Sequence, residues 1–229
     1  MRHYLYPAAA AFLAVACTEP TAPSSAPLAS PELRSSFTTA GTDFSAGSSL
    51  PSGFSLSSSA TTVSPSGQTY LGPFRNEQIV LSVPANSGAI TVAFNLYVVG
   101  TWDGYGGKKY GSDTWGIVAR CVGSTRTLSG FETDFSNKTT TLQHYPNAST
   151  GALNAGLSGS IAQNSLGYNG TAGDQTKGAQ SAADATYAIQ LRLASNNCSQ
   201  GVQFVLRSPT QQLQYDETWG IDNLQVTGN

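Results

Sequence analysis

Residues 89–102 read AITVAFNLYVVGTW, and they decide the fold. Ile90, Val92, Phe94, Leu96 and Val98 fall on one side of a two-residue repeat, with Thr91, Ala93, Asn95 and Tyr97 on the other. In an extended chain successive side chains point to opposite faces, so this alternation gives one face to a core and leaves the other more polar. A helix would need apolar positions recurring every 3.6 residues, and none recur that way here. The stretch predicts a long strand ending near Trp102.

The same period continues outward in both directions. Within Glu77–Val83, Ile79, Leu81 and Val83 alternate with Val80 and Ser82. Trp115, Ile117, Ala119 and Cys121 alternate with Val118 and Arg120. Tyr187, Ile189, Leu191 and Leu193 alternate with Gln190 and Arg192, followed by Val202, Phe204 and Leu206 and then Trp219–Val226. Clusters of Gly, Pro, Asn or Ser bound each run. No segment carries a helical stripe with cap signals. The sum is an all-β sandwich of two antiparallel sheets. Residues 136–184 are rich in Gly, Asn, Ala and Ser, with apolar points at Leu153, Leu157, Ile161, Leu166 and Tyr168. A structureless loop of that length is unusual in a compact domain, so a strand or packed excursion is expected near Ala152–Ile161.

The whole chain has 229 residues, enough for one sizeable core. Charged residues make up 10%, against roughly 25% in typical soluble proteins. Ser and Thr together number 53, and the formal net charge is −2. There is no basic field to hold nucleic acid. The composition suits an extracellular β-protein with a weakly charged, hydroxyl-rich surface, not a helical bundle or a charge-rich cytosolic enzyme.

Residues 1–17, MRHYLYPAAAAFLAVAC, have the form of an export signal. Arg2 supplies a positive start, Ala8 to Ala16 an uncharged apolar run, and Ala14-Val15-Ala16 a small-residue cleavage pattern. The run is too short to span a bilayer as a helix. Leu13-Ala14-Val15-Ala16-Cys17 resembles the lipobox of bacterial lipoproteins, in which the Cys is lipidated and becomes the new N-terminus. It departs from that pattern in having Ala14, not Leu, three residues before Cys17. The same residues also fit ordinary signal cleavage, which would release a soluble secreted protein. Residues 17–41 then read as a lipidated Cys and a disordered Pro/Ser/Thr-rich tether. The expected arrangement is a signal peptide over 1–16, that tether, and a folded domain over 42–229. The expected location is outside the cytoplasm, on a membrane at the periplasm or cell surface. With Cys17 in the anchor, Cys121 and Cys198 remain. In an exported chain two cysteines most simply form one disulfide, worth about 4 kcal/mol on the chain-entropy model. Two buried free thiols are the alternative.

Few residues are available for chemistry. The histidines are His3 and His144, and no Gly-x-Ser-x-Gly elbow, phosphate loop or dinucleotide fingerprint occurs. Zinc would need more His or Cys than the chain offers. No catalytic residue is assigned. Asp103 in Trp102-Asp103-Gly104 and Asp113 in Gly111-Ser112-Asp113-Thr114-Trp115 lie at strand ends beside glycines. Such carboxylates can offer oxygens to a structural Ca²⁺, which makes Asp103 and Asp113 the metal candidates. Turn chemistry, with Asp accepting from nearby backbone N–H groups, accounts for the same pattern. Asp222-Asn223 reads as a pair bonded to backbone inside the sandwich. Trp102, Tyr105, Tyr110 and Tyr145 lie in or beside loops, with Lys108 and Lys109 among them. Loops at one end of a sandwich commonly carry its binding function. Trp102 reads as core. Tyr105, Tyr110 and Tyr145 are the candidate ligand-binding residues, because flat rings stack on sugar faces.

Several segments together are familiar. They are Tyr70-Leu71-Gly72-Pro73-Phe74-Arg75-Asn76-Glu77, Phe94-Asn95-Leu96-Tyr97-Val98, Thr101-Trp102-Asp103-Gly104 and Gly111-Ser112-Asp113-Thr114-Trp115. Phe135-Ser136-Asn137, Gln143-His144-Tyr145-Pro146, Leu166-Gly167-Tyr168 and Glu217-Thr218-Trp219-Gly220-Ile221-Asp222-Asn223-Leu224 follow in order. Across about residues 42–227 this order resembles an uncharacterised bacterial family of secreted or lipoprotein jelly-roll domains. It is distantly similar to concanavalin-like lectin, laminin-G and MAM modules, which also close on an Ile-Asp-Asn/Asp-like strand. The resemblance implies a jelly-roll topology and, by fold analogy alone, a lectin-like binding module in which calcium is structural. The expected partner is a glycan or another cell-surface polymer, with membrane contact through the lipid anchor only. Two alternatives are a glycan hydrolase or lyase using carboxylates such as Asp103, Asp113 or Glu217, and a structural or adhesive module that contacts protein.

Overall fold

A computed structural model of the chain describes residues 37–45, 48–85, 88–106, 111–168, 183–194, 196–209 and 217–228. The signal peptide expected over 1–16, Cys17 and the following residues to 36 lie outside these, as do Lys108, Lys109, Tyr110 and Asp216.

The alternating run at the centre of the sequence forms β6 (Ile90–Gly100). It is paired along its whole length with β12 (Ala183–Leu193) on one side. On the other side lies β14 (Glu217–Gly228). The far edge of β14 is shared end to end by β4 (Thr69–Phe74) and β1 (Phe37–Thr42). β3 (Thr61–Val63) and β11 (Ser160–Gln163) close the two edges of this seven-stranded sheet. The second sheet has five strands. Its order is β2 (Ser55–Leu56), β5 (Gln78–Val83), β13 (Val202–Arg207), β7 (Thr114–Cys121) and β8 (Ser129–Asp134). A small ribbon of β9 (Leu142–Gln143) and β10 (Asn154–Ala155) stands apart. All these pairings are antiparallel, and the described residues contain no helix.

β4 pairs with β14, β5 with β13, and β6 with β12. The first and third pairs lie in the large sheet and the second in the small one. This is a long hairpin whose successive rungs alternate between two sheets, which is the jelly-roll arrangement. The strand expected near Ala152–Ile161 is present as β10 and β11. One boundary moves. β1 begins at Phe37, inside the stretch read as tether, because β14 extends beyond the end of β4 and leaves free backbone groups for another strand to pair.

The two sheets meet on the apolar rows predicted from the alternation. Ile90, Val92, Phe94, Leu96 and Val98 of β6 are all buried in one core with Ile117, Phe204 and Ile221. The Trp115 indole of β7 is fully buried, and its ring centre lies 5.8 Å from that of Phe94 and 5.9 Å from that of Trp219, both across the sandwich. Phe131 and Phe135 each stand 6.3 Å from it on its own side. Truncating such a ring typically costs about 3–5 kcal/mol. The disulfide Cys121–Cys198 is formed, with Cα atoms 5.1 Å apart and a sequence separation of 77.

The outer face of the large sheet carries a smaller cluster of Tyr70, Tyr97, Val99 and Leu166, with Tyr168 packed against it. Gly220 makes room for it, because a Cβ there would lie 2.5 Å from Tyr70 Cδ2. Asp222 belongs to this outer face, not to the sandwich interior. Its register partner is Asn95, while Ile221 faces Leu96 of the core. Asp222 Oδ1 accepts from the Asn223 N–H at 2.7 Å, as expected of a backbone-bonding Asp. Oδ2 accepts from Gln68 Nε2 at 2.8 Å and from the Tyr97 hydroxyl at 3.2 Å. A register shift between Asp222 and Gln225, with Asn223 at φ 52°, returns Leu224 to the core.

Burial pushes the Asp222 carboxyl above its ordinary value, and the bonds from Gln68, Asn223 and Tyr97 only partly offset this. A carboxyl raised on folding contributes stability that is complete below its unfolded value and is lost as pH rises through the folded one. Asp222→Asn removes that loss. The melting temperature of Asp222→Asn relative to wild type is therefore expected to increase as pH is raised from below 3.8 to neutrality. Thermal denaturation across that range measures it, and a difference that stays flat or shrinks would contradict the assignment.

Candidate functional site

The end of the sandwich where β6 stops is built from the segments following β6, β8 and β11. The chain leaves β6 through Trp102, which is buried, and its indole N–H donates to the Thr218 carbonyl at 3.0 Å. Trp102 is core, as its sequence position predicts. The next residue, Asp103, donates its N–H to the buried Asp113 carboxylate. Asp113 N–H in turn donates to the Gly104 carbonyl at 3.1 Å. Gly104 sits at φ +73°, and a Cβ there would fall 2.2 Å from the Leu142 carbonyl oxygen. Only glycine satisfies both conditions. Tyr105 then donates its N–H to that same carbonyl at 2.7 Å. The loop is thus stitched to β9 at the residue that carries the ring.

Behind the loop, the side chain of Gln143 is buried and fully used. Its Oε1 accepts from the Ser136 N–H at 2.7 Å, and its Nε2 donates to the Tyr145 and Ser158 carbonyls at 2.9 and 2.8 Å. Tyr187 hydroxyl donates to the Ser136 carbonyl at 2.7 Å. Asn137 Nδ2 donates to the Gly100 carbonyl at 2.6 Å. These bonds hold the 135–145 segment against the ends of β6 and β12.

On the outward side of the ribbon, His144 Nδ1 lies 2.6 Å from Oδ2 of the buried Asp134, and the His144 N–H donates to Oδ1 at 2.5 Å. The carboxylate therefore fixes the ring through its Nδ1–H. Tyr105 stands edge-on against that imidazole, with ring centres 4.7 Å apart and planes at 82°. Tyr105 is 50% exposed, and Leu142 and Leu153 are 47% and 44% exposed. Gln143 pairs with Asn154 and Leu142 with Ala155. The pleat therefore sets Leu142, His144 and Leu153 on one face, opposite to buried Gln143.

A cleft of about 500 Å³ is lined by Asp103 of the same loop and by Lys138, Thr139, Thr140, Gln163 and Asn164 among others. Lys138 Nζ pairs with Asp103 Oδ1. Asp184, buried in the cleft wall, accepts from the Leu166 and Tyr168 N–H groups at 3.0 and 3.2 Å. The volume lies within the range of small-molecule sites, and the lining is mostly amide, hydroxyl and carboxylate.

The residues singled out from sequence separate here. Tyr105 is presented to solvent as expected, and Tyr110 lies outside the described residues. Tyr145 is not a free platform. Its ring is half-buried, stacked on Phe135 at 4.6 Å and 28° and edge-on to Tyr187 at 5.2 Å, and its hydroxyl donates to the Ala188 carbonyl at 3.1 Å. Burial raises its hydroxyl pKa. The Phe135 face is a stronger attraction than solvent for a ring placed two residues past β9's end. Asp103 and Asp113, the two metal candidates, both have protein partners. Asp113 is spent on a backbone N–H and Asp103 on a lysine ammonium, where Ca²⁺ would need six to eight oxygens. Among the described residues no group of three or more His, Cys, Asp or Glu could hold a metal ion. The turn-chemistry reading of Asp113 is the one realised. Glu217 is buried at the start of β14, opposite Gly100. Asp134, Lys138, Gln163 and Asn164 were not singled out from sequence, since none sits in a motif and only folding assembles them.

No protein-family model matches the chain, and no curated protein matches it.

The stitch at Gly104 can be broken without touching an exposed side chain. Gly104→Ala is expected to cost about 1–3 kcal/mol from backbone strain at that position. Equilibrium urea unfolding measures the loss; a value near zero would show that the loop accommodates a Cβ.

Proposed function

We propose that this domain is a lectin-like binding module that takes a glycan or another hydroxyl-rich surface polymer at the end of the sandwich carrying Tyr105. The observation that carries the reading is one exposed aromatic ring, fixed in orientation by His144 and by the Leu142 carbonyl, in the same loop as Asp103 of a polar cleft. Sugar rings have apolar C–H faces and polar edges. A ring that stacks and a lining of Thr hydroxyls and Asn and Gln amides match those two surfaces together. The hydrolase or lyase alternative finds less support. Asp103 and Asp113, two of its expected carboxylates, already hold Lys138 and a backbone N–H.

The experiment is a glycan array followed by titration with the best binders, with and without added Ca²⁺ and chelator. Tyr105→Ala should weaken binding roughly tenfold or more while leaving the melting temperature within error, because the ring stabilises a ligand and not the core. Undiminished binding would remove Tyr105 from the site. Release of products would overturn a binding-only role in favour of the enzyme, and loss of binding on chelation would restore a calcium requirement. A protein-contacting module is favoured if no glycan binds and the Leu142–Leu153 face proves adhesive.

We further propose export and lipid anchoring at Cys17, which places the module at a membrane surface on the tether that follows. Support comes from Ala14-Val15-Ala16 before Cys17, from the Pro-rich stretch after it, and from a disulfide of the kind oxidising compartments favour. Wild type is expected to partition into detergent and Cys17→Ala into the aqueous phase. Equal partitioning of the two would exclude the anchor.

A further inference from the structure

We infer that the site, if it binds saccharide as proposed above, selects neutral chains and rejects uronate-bearing or sulfated ones. The inference rests on that reading and adds the charge class of the ligand. It comes from how the described charges at this end are partnered. Lys138, the described ammonium lining the cleft, is neutralised by Asp103 within the same wall. His144, beside the Tyr105 ring, is held by the Asp134 carboxylate. Asp184 adds a further carboxylate to the cleft; it accepts from the Leu166 and Tyr168 N–H groups and the Ser165 hydroxyl, and among the described residues it pairs with no cation. The described lining therefore carries two carboxylates against one ammonium.

An anionic sugar entering there meets like charge at Asp103 and Asp184, and it must compete with Asp103 for Lys138. Like-charge juxtaposition at a binding site is a strong device for excluding wrong partners. A neutral sugar meets no such opposition. Its hydroxyls can donate to the carboxylate oxygens and accept from the amide groups of Gln163 and Asn164 and from the Thr139 and Thr140 hydroxyls. Its apolar face can lie on Tyr105. The ligand that fits both surfaces is a neutral oligosaccharide running from the ring into the cleft.

The test uses the full-length protein and calorimetric titration against three sets of oligosaccharides: neutral hexose chains, uronate-containing chains and sulfated chains. Each is measured at about 0.05 M and 0.5 M NaCl, a range that strongly screens exposed charge. Neutral chains are expected to bind roughly tenfold or more tightly than either anionic set, with affinity insensitive to salt. Asp103→Asn, which frees the Lys138 ammonium at a partly exposed position, is expected to raise affinity for the uronate chains severalfold. Tighter binding of anionic chains, weakening with salt, would overturn the inference while keeping the saccharide reading. If Lys108→Ala with Lys109→Ala then abolished that binding, recognition would belong to those lysines. Uronate affinity unmoved by Asp103→Asn would also overturn it. Failure of every saccharide to bind would sink the saccharide reading itself and the inference with it.

Discussion

The Trp115 indole, pressed between the two sheets, is the contact on which the rest of the molecule depends. It stands on β7 of the small sheet and touches Phe94 of β6 and Trp219 of β14 in the large one. Those three strands are interior to their sheets, so one aromatic group sets both the spacing of the sandwich and the register across it. Two stacked sheets must fill a layer about 10 Å thick. Large rings fill it from few positions, and the chain supplies them at Phe94, Trp115, Phe135, Tyr187 and Trp219. The polar outer positions are then free of any duty to the core. That is how a chain with 10% charged residues and 53 Ser and Thr can still fold around one continuous interior.

The rigidity of the core passes directly to the end loops. Trp102 is the last core residue after β6, and Tyr105 is three positions farther on. Between them, three backbone groups of the turn are taken: the Asp103 N–H by Asp113, the Gly104 carbonyl by the Asp113 N–H, and the Tyr105 N–H by Leu142. On the other side, Phe135 packs on Trp115 while its neighbour Asp134 holds His144 against Tyr105. The exposed ring is therefore only a few contacts from the centre of the sandwich. Such a platform loses little conformational entropy when a ligand covers it, which is the advantage of preorganisation.

The long strands could be read from the sequence because each buries one face. The alternation in Ile90–Gly100, Thr114–Cys121 and Val202–Arg207 is a direct imprint of the pleat. β1, β2, β3 and the β9–β10 ribbon left weaker imprints, since two to six residues at a sheet edge bury too little to impose a period. Their pairing is backbone chemistry, to which the side chains testify poorly. The site was legible in the same uneven way. Tyr105, beside two glycines, is an exposed loop aromatic on sequence grounds and in the structure. Tyr145, between His144 and Pro146, reads as a loop aromatic too, yet Phe135 and Tyr187 capture it, and those rings are 10 and 42 positions away. Asp134 and His144 are likewise brought together only by the pairing of β7 with β8 and the return of the chain through β9.

Asp113 shows what a carboxylate beside glycines does for a loop in this fold. A loop that must turn sharply off a strand leaves N–H groups without ladder partners, and these groups need an acceptor. A buried carboxylate meets that need and is stabilised by the bonds it receives. The same economy governs Asp184 and the Leu166 and Tyr168 N–H groups, and Asp134 with the His144 N–H. Three of the buried acids at this end are thus spent on shaping loops. With so few charges in the chain, their use as loop anchors leaves the surface beside Tyr105 to amides, hydroxyls and internally neutralised pairs. A surface of that kind recognises partners by the geometry of hydrogen bonds and by ring stacking, with little contribution from long-range attraction.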